Sequence, residues 1–178
     1  MFKKDIPPSG RSKVKSSVQR GLRQKFLDTY PGFEPYIDEI LPKKAQLDVV
    51  KLATLYTIDT NPLFYQPMDG PPIPHLKLLH AYPDALPTVQ IDRGAIRFVL
   101  SGATLMAPGL TSPGGRLPDA EHALEEGQVV AVKAEGKEHV CLVGPLKVGT
   151  EEMKAKGKGV VIDEGHYLGD GLWKMHLD

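Results

Sequence analysis

Proline and glycine interrupt this chain at short intervals and so limit the length of every helix and strand. The 178 residues include 16 prolines and 18 glycines, with clusters at residues 7–10, 67–74 and 108–115. Proline lacks an amide donor, and glycine loses more conformational freedom on ordering than any other residue. The sequence therefore predicts turns and short strands rather than a helical bundle. Its length and its hydrophobic content of 41% suit one or two domains.

The first half reads as an α/β domain. We expect an extended arm through Pro7-Pro8-Ser9-Gly10, and then a helix capped by Ser12. The apolar stripe of that helix consists of Val14, Val18, Leu22 and Phe26. The further predicted elements are a short helix before Pro42, strands at 46–52, 55–58 and 63–65, and a helix at 76–82. Asp84–Pro87 reads as a junction, which divides the chain into domains 1–86 and 87–178.

The second half shows a different pattern of short elements around one helix. Thr88–Ile91 reads as a strand, and Asp92 caps a helix that Gly102 ends. The predicted inner face of that helix is Ala95, Ile96, Val99 and Leu100. The further predicted strands are 129–134, 140–146, 160–162 and 172–177, the last with Trp173, Met175 and Leu177 inward. Short strands with glycine-rich connections predict a small β-barrel with one helix.

Motifs for catalysis are absent from the sequence. Pro108–Gly115 lacks the Gly-Lys-Ser/Thr ending of a P-loop, and Ser101 lacks the flanking glycines of a nucleophile elbow. Cys141 is the single cysteine, so no internal disulfide forms, and its apolar strand favours a buried thiol. Asp163, His166 and Asp170 are close enough in sequence for a dyad or metal cluster, although the neighbouring glycines favour a turn. We therefore expect no catalytic residue, metal or cofactor.

The charge distribution points to an anionic partner. Residues 1–25 carry eight basic groups and one acidic group, whereas the net charge is −4 over 26–86 and −3 over 87–178. A basic block attracts phosphates, but it is also typical of a solvated face that aids solubility. The candidate RNA-contacting residues of this block are Lys13, Lys15, Arg20, Arg23 and Lys25. No apolar run approaches the ~18 residues that span a bilayer, and the start lacks a signal-like stretch, so we expect a cytoplasmic protein without membrane contact.

A second candidate surface lies on the helix after Asp92. Arg93 and Arg97 are four residues apart and so share one face, with Ser101 one turn further on. Two guanidinium groups at this spacing suit adjacent phosphates, and the alternative is a pair of solvated arginines. The neighbouring glycine-rich segment offers backbone amides to a phosphate or base, or is a simple surface loop.

Two stretches carry a family resemblance: Val89–Ala103 and Pro108–Gly114. They resemble the PUA domain of the malignant-T-cell-amplified-sequence family, which includes the translation-machinery-associated proteins. Further matching segments are Met1–Lys4, Pro31-Gly32, Pro42–Lys44, Leu78–His80, Ala134–Lys137 and His166–Trp173, and the stretch 11–17 is most similar to fungal members. The sequence departs from the usual family pattern at the hairpin tip Asp59–Pro62 and at Ala107.

The resemblance implies an α+β protein: an N-terminal α/β domain followed by a PUA pseudo-β-barrel. It implies a non-enzymatic translation factor that acts on the small ribosomal subunit with density-regulated protein, a partner with an SUI-type domain. The pair would promote release of deacylated tRNA, recycling after termination, and reinitiation, in contact with ribosomal RNA and tRNA. The implied RNA-binding residues are Arg93, Gly94, Arg97, Ser101, Gly102, Pro108, Gly109, Leu110 and Thr111.

Two alternatives stay open at the level of sequence. PUA domains also accompany RNA-modifying catalysts, so the chain could be an RNA-binding accessory subunit of such an enzyme. The acidic remainder of the chain also permits a protein-interaction adaptor in which RNA contact is no longer used.

Overall fold

The computed structural model describes residues 2–7 and 9–177 as a mixture of short strands and helices. Met1, Pro8 and Asp178, which belong to the family-like start, the breaker cluster and the predicted second domain, lie outside the described residues. The strands are β1 (Arg11–Lys13), β2 (Asp48–Val50), β3 (Leu55–Ile58), β4 (Asn61–Tyr65), β5 (Ile73–Pro74), β6 (Thr88–Ile91), β7 (Leu105–Met106), β8 (Val129–Ala134), β9 (Val140–Pro145), β10 (Val160–Ile162) and β11 (His166–Tyr167). The helices are α1 (Ser16–Thr29), α2 (Ile37–Ile40), α3 (Leu76–Ala81), α4 (Arg93–Leu100), α5 (Pro108–Thr111) and α6 (Thr150–Lys156), with 3-10 turns at Pro31–Tyr36 and Ala120–His122.

The first half is an antiparallel sheet covered by helix α1. Strands β1 to β5 pair in chain order. Phe26 of α1 stacks on Phe64 of β4 with 5.0 Å between ring centroids, and Phe33 lies 4.9 Å from Phe26. All three rings are buried, and removing one ring from such a site costs about 3–5 kcal/mol. This aromatic cluster fixes the orientation of α1, and therefore of the basic residues on its outer side.

The predicted start of the first helix is wrong. Arg11–Lys13 is a strand that pairs with Asp48–Val50, and the amide of Val14 donates to the carbonyl of Leu47 at 2.9 Å. The helix begins at Ser16, with Lys15 rather than Ser12 at its N-cap. Val14 is buried, but it lies directly after β1 and before the helix begins. Its four-residue spacing from Val18 therefore does not reflect a helical face.

The hairpin between β3 and β4 is irregular where the sequence departs from the family pattern. Ile58 pairs with Asn61, which leaves Asp59 and Thr60 as a two-residue turn. Asp59 has a φ of 51°, a left-handed conformation that aspartate tolerates better than most residues. The pairing register shifts between Tyr56 and Thr57.

The second half has a four-stranded sheet in the order β11-β9-β8-β6, together with the pair β7 and β10. Strand β6 runs parallel to β8, and helix α4 follows β6 directly. The expectation of one helix in this half is wrong, because α5 and α6 are also helical. Helix α6 ends at Gly157, whose φ of 64° is the left-handed conformation common at helix ends.

The two faces of strand β8 pack into two different hydrophobic cores. Val129 and Ala131 pack in the core of the first half, whereas Val130, Val132 and Ala134 pack in the core around α4 and α6. Side chains alternate between the two faces of a strand, so one strand serves both cores. The sheet of the second half therefore packs one face against the core of the first half, so the two halves are joined by more than a linker.

The last predicted strand is wrong, although its burial pattern is right. Residues 172–177 form turns without ladder pairing, because Asp170 holds the chain in a tight bend. Its carboxylate accepts from the amides of Tyr167 at 3.0 Å and Trp173 at 2.8 Å. Met175 and Leu177 are buried, and Trp173 packs against the core of the first half rather than inside a barrel.

Candidate nucleic-acid interface

Helix α4 presents two unpaired arginines. The side chain of Asp92 accepts from the amide of Ala95 at 2.9 Å, which confirms the predicted cap and fixes the start of the helix. Arg93 and Arg97 are both exposed, and within residues 2–7 and 9–177 neither guanidinium forms an ion pair. The Arg97 guanidinium lies 4.8 Å from the ring centroid of Phe98. Both cations are thus free to meet an anion.

An exposed aromatic ring beside these arginines was not found from sequence. Phe98 is 52% exposed and Met106 is 44% exposed, and both border an apolar groove of about 340 Å³ between α4 and residues 104–112. Leu100, which we assigned to the inner face, is also exposed. We call Arg93, Arg97, Phe98 and Met106 the α4 surface. Exposed rings next to cations are typical of sites where unpaired bases stack.

The segment from Pro108 to Thr111 is a helical turn, not a loop. The amides of Leu110 and Thr111 donate to the carbonyl of Ala107 at 2.9 and 3.1 Å, and the amide of Ser112 donates to Pro108 at 3.0 Å. These three amides are therefore not offered to a phosphate, contrary to our expectation for this part of the segment. Leu110 is buried in the second core, so the exposed side chains of the segment are Pro108 and Thr111.

The remaining candidates in and just after α4 are Gly94, Ser101 and Gly102, and each has a role in the local backbone structure. A Cβ on Gly94 would lie 3.1 Å from Oδ1 of Asp92, close to the capping bond. Ser101 is exposed, and its hydroxyl donates to the carbonyl of Phe98 at 2.8 Å. Gly102 is buried with a φ of +82°, as predicted for a helix end. A Cβ there would lie 2.8 Å from the Tyr167 hydroxyl and 3.1 Å from carbons of Lys3.

The arm at residues 2–7 is docked on the second half, and it brings a lysine to the end of α4. The amide of Gly171 donates to the carbonyl of Phe2 at 2.7 Å. The Phe2 ring meets Tyr65 edge-on at 5.1 Å and His166 at 6.4 Å. Lys3 then lies over Gly102 with its side chain exposed. Sequence reasoning predicted an extended arm, but nothing local in the sequence indicates where it docks.

The basic residues of the first 25 do not share one helical face. Lys13 lies on β1 and Lys15 precedes α1, whereas Arg20, Arg23 and Lys25 lie on the helix. Arg23 is the least exposed, because its Nη2 pairs with Asp38 at 2.7 Å and its Nε donates to the carbonyl of Leu41 at 3.3 Å. The other four side chains are exposed.

The candidate dyad is a buried structural contact. Nδ1 of His166 lies 2.8 Å from Oδ2 of Asp170, and neither side chain is accessible to solvent. Burial lowers the pKa of His166. Asp163 is separate and pairs with Lys147 at 3.4 Å. Burial also raises the pKa of the Cys141 thiol to about 11, so that thiol is inert at neutral pH. Among the described residues, no three acidic, histidine or cysteine side chains converge to hold a metal.

Comparison with known proteins agrees with this architecture. A Pre-PUA-like domain matches residues 2–83 and a PUA domain matches residues 87–168. Translation machinery-associated protein 20 of Saccharomyces cerevisiae is 49% identical, with all of both chains aligned. Malignant T-cell-amplified sequence 1 of Rattus norvegicus is 44% identical, with 91% of this chain and 88% of that protein aligned. The chain belongs to the malignant-T-cell-amplified-sequence family.

Membership in this family confirms the predicted α+β fold with a PUA domain. Two archaeal crystal structures share the fold. A hypothetical protein from Pyrococcus horikoshii has a TM-score of 0.72 at 21% identity, covering 93% of this chain and 98% of that chain. A conserved PUA domain protein from Thermoplasma acidophilum has a TM-score of 0.64 at 22% identity, with the same two coverages. Family membership also supports a translation-related role for this chain. In the described part of the chain, the helices are too short or too polar to span a membrane.

Proposed function

We propose that this protein is a non-enzymatic translation factor of the cytoplasm that binds the small ribosomal subunit together with a homologue of density-regulated protein. The pair promotes release of deacylated tRNA, recycling after termination, and reinitiation. The observation that carries the RNA-binding part is the α4 surface, where the exposed guanidinium groups of Arg93 and Arg97 lie on one helix and Arg97 lies over the exposed Phe98 ring. The partner and the reaction stage follow from the family resemblance.

The proposed mechanism requires binding energy only. A protein that binds one state of the subunit more tightly than another shifts the population toward that state. Arginine forks suit phosphates, and Phe98 offers a platform to an unpaired base, so the α4 surface fits RNA of defined shape. The dyad that the sequence suggested, His166 with Asp170, is sealed from solvent.

Binding of purified small subunits tests the RNA-binding part. The double variant Arg93→Gln/Arg97→Gln removes two cations from the α4 surface, and Lys51→Gln/Lys77→Gln removes two exposed lysines of the first half as a matched control. Each lost phosphate contact lowers the slope of log affinity against log salt by about 0.7–0.9. We expect the α4 double variant to lose about 1.4–1.8 of that slope. Equal affinity of both double variants at three salt concentrations would contradict this part of the proposal.

Release of labelled deacylated tRNA from post-termination subunits tests the activity. We expect release to need both this chain and the partner homologue, and to fall with the α4 double variant. Two other results would favour the alternatives. New modified nucleosides in RNA incubated with the chain would indicate an accessory subunit of a modifying enzyme. Subunit binding that free RNA does not compete would indicate a protein-interaction adaptor.

A further inference from the structure

A second cationic site lies in the first half, between α1 and the segment that follows α2. It is a cleft of about 670 Å³ whose charged lining is Arg20 and Arg23 from α1 with Lys43 and Lys44 from the segment. We call these four residues the α1 cleft. Of the described residues, no acidic one lines it. The sequence placed Arg20 and Arg23 in the basic block, but it did not connect them with Lys43 and Lys44.

The walls of the α1 cleft are fixed by hydrogen bonds to backbone. Gln19 is 8% exposed; its Nε2 donates to the carbonyl of Ala45 at 2.7 Å, and its Oε1 accepts from the amide of Leu47 at 3.1 Å. Gln46 donates to the carbonyl of Val14 at 3.1 Å. The segment that carries the two lysines is therefore tied to α1 and to β1 before any ligand arrives. A site that is ordered in advance loses less entropy on binding.

Most of the positive charge in the cleft is uncompensated. Arg23 is paired with Asp38, which itself is 82% exposed outside the lining. Arg20, Lys43 and Lys44 form no ion pair within the described residues. Like charges gathered in a concave site repel one another and raise the local concentration of anions. An anion with several charged oxygens would relieve this repulsion.

We propose that the α1 cleft is a binding site for the backbone phosphates of RNA, with Arg20, Lys43 and Lys44 as its contacts and Arg23 as a fixed wall. The assignment to RNA rather than to a small phosphate rests on the proposed function. Within residues 2–7 and 9–177 no aromatic side chain lines the cleft, so these residues offer no platform for a base. The site therefore reads the position of the backbone and not its sequence.

Binding of a labelled 20-base-pair RNA duplex to the full chain tests the site. Lys43→Gln/Lys44→Gln is compared with the control Lys51→Gln/Lys158→Gln, whose lysines are exposed and lie outside the cleft. We expect the cleft variant to bind about tenfold more weakly at moderate salt, and its salt slope to fall by about 1.4–1.8. The control should keep the wild-type slope. Thermal unfolding of both variants checks that their folds are intact.

The outcomes separate this site from the proposed function. Equal losses of duplex affinity in Lys43→Gln/Lys44→Gln and in the control would overturn the α1 cleft. If Arg93→Gln/Arg97→Gln still weakened subunit binding, the proposed function would stand. Wild-type protein that binds neither duplex nor subunit would overturn both. Saturable amide shifts at Gln19 and Ala45 with millimolar inorganic phosphate, without duplex binding, would mean that the cleft takes small phosphates, and would overturn the assignment to RNA.

Discussion

The α4 surface and the α1 cleft are both cationic, but they differ in the side chains that accompany the cations. The α4 surface combines free arginines with the exposed Phe98 and Met106 around an apolar groove. The α1 cleft gathers four cations and offers no ring. A surface with a stacking platform distinguishes unpaired bases from duplex, whereas a purely cationic cleft responds to phosphate alone. Under the two proposals, the halves would therefore contact separate features of one folded RNA.

Asp170→Ala should give the largest effect, and it should act on both surfaces together. The variant leaves the amides of Tyr167 and Trp173 and the ring of His166 without their buried acceptor. Each unsatisfied buried group costs about 1–3 kcal/mol, so we expect a loss of at least about 3 kcal/mol in the free energy of unfolding. Urea denaturation measures it. A loss of RNA binding with unchanged stability would instead place Asp170 in a binding site.

Acid should weaken the fold in a similar way, because two histidines meet between the halves. The rings of His75 and His166 lie 4.5 Å apart, and burial lowers the pKa of both below 6.5. Asp170 favours protonation of His166, while Lys77 and His80 oppose it in both rings. The unfolded chain therefore takes up protons first as the pH falls.

The free energy of unfolding should be constant above about pH 6.5 and should fall below it, by at most about 1.4 kcal/mol per pH unit for each histidine. Urea titrations between pH 7.5 and 5 measure this trend. His75→Gln is the comparison, since it removes one of the two titrating rings. A midpoint that rises on acidification would contradict the prediction.

Phe98→Ala should separate the two surfaces. The ring is half exposed, so its loss should barely change stability, but it removes the stacking platform of the α4 surface. Stacking contributes about 1–3 kcal/mol per base, so we expect about tenfold weaker binding of single-stranded RNA. Binding of duplex RNA, and the salt slope, should not change. Equal weakening for single strands and duplex would remove the distinction between the surfaces.

Lys3→Gln should have the smallest effect. Lys3 belongs to the arm at residues 2–7 and lies beside the end of α4, so it adds one cation to the α4 surface. We expect a reduction of about 0.7–0.9 in the salt slope for subunit binding and little loss of affinity at low salt. Lys77→Gln, which removes an exposed lysine from α3, serves as the single-charge control. Equal salt slopes for the two single variants would show that Lys3 does not contribute to binding at the α4 surface.

Local signals account for what the sequence predicted correctly. Asp92 caps α4 through a bond three residues away, and Gly102 adopts the left-handed conformation at its end. The strands at 88–91, 129–134 and 160–162 have the predicted bounds. In each case the deciding interaction involves neighbours in the chain or a simple alternation of apolar residues.

Tertiary contacts account for what the sequence did not predict. Val14 fits a helical stripe, but pairing of the preceding residues with β2 makes them a strand. Lys43 and Arg20 line one cleft because Gln19 ties the segment to α1, and neither spacing nor composition shows that bond. Phe98 lies outside the predicted inner face of α4, but no local pattern shows that its ring borders a groove. The sequence therefore predicted the two arginines of the α4 surface but not Phe98 or Met106, and it did not predict the α1 cleft as a site.

The docking of Phe2 has a consequence for how the protein folds during its synthesis. The ribosome makes Phe2 well before it makes the neighbours of Phe2, His166 and Gly171. Until those two residues have left the exit tunnel, the first half must hold its shape with the arm undocked. A nascent chain that stalls before His166 would therefore keep an undocked arm.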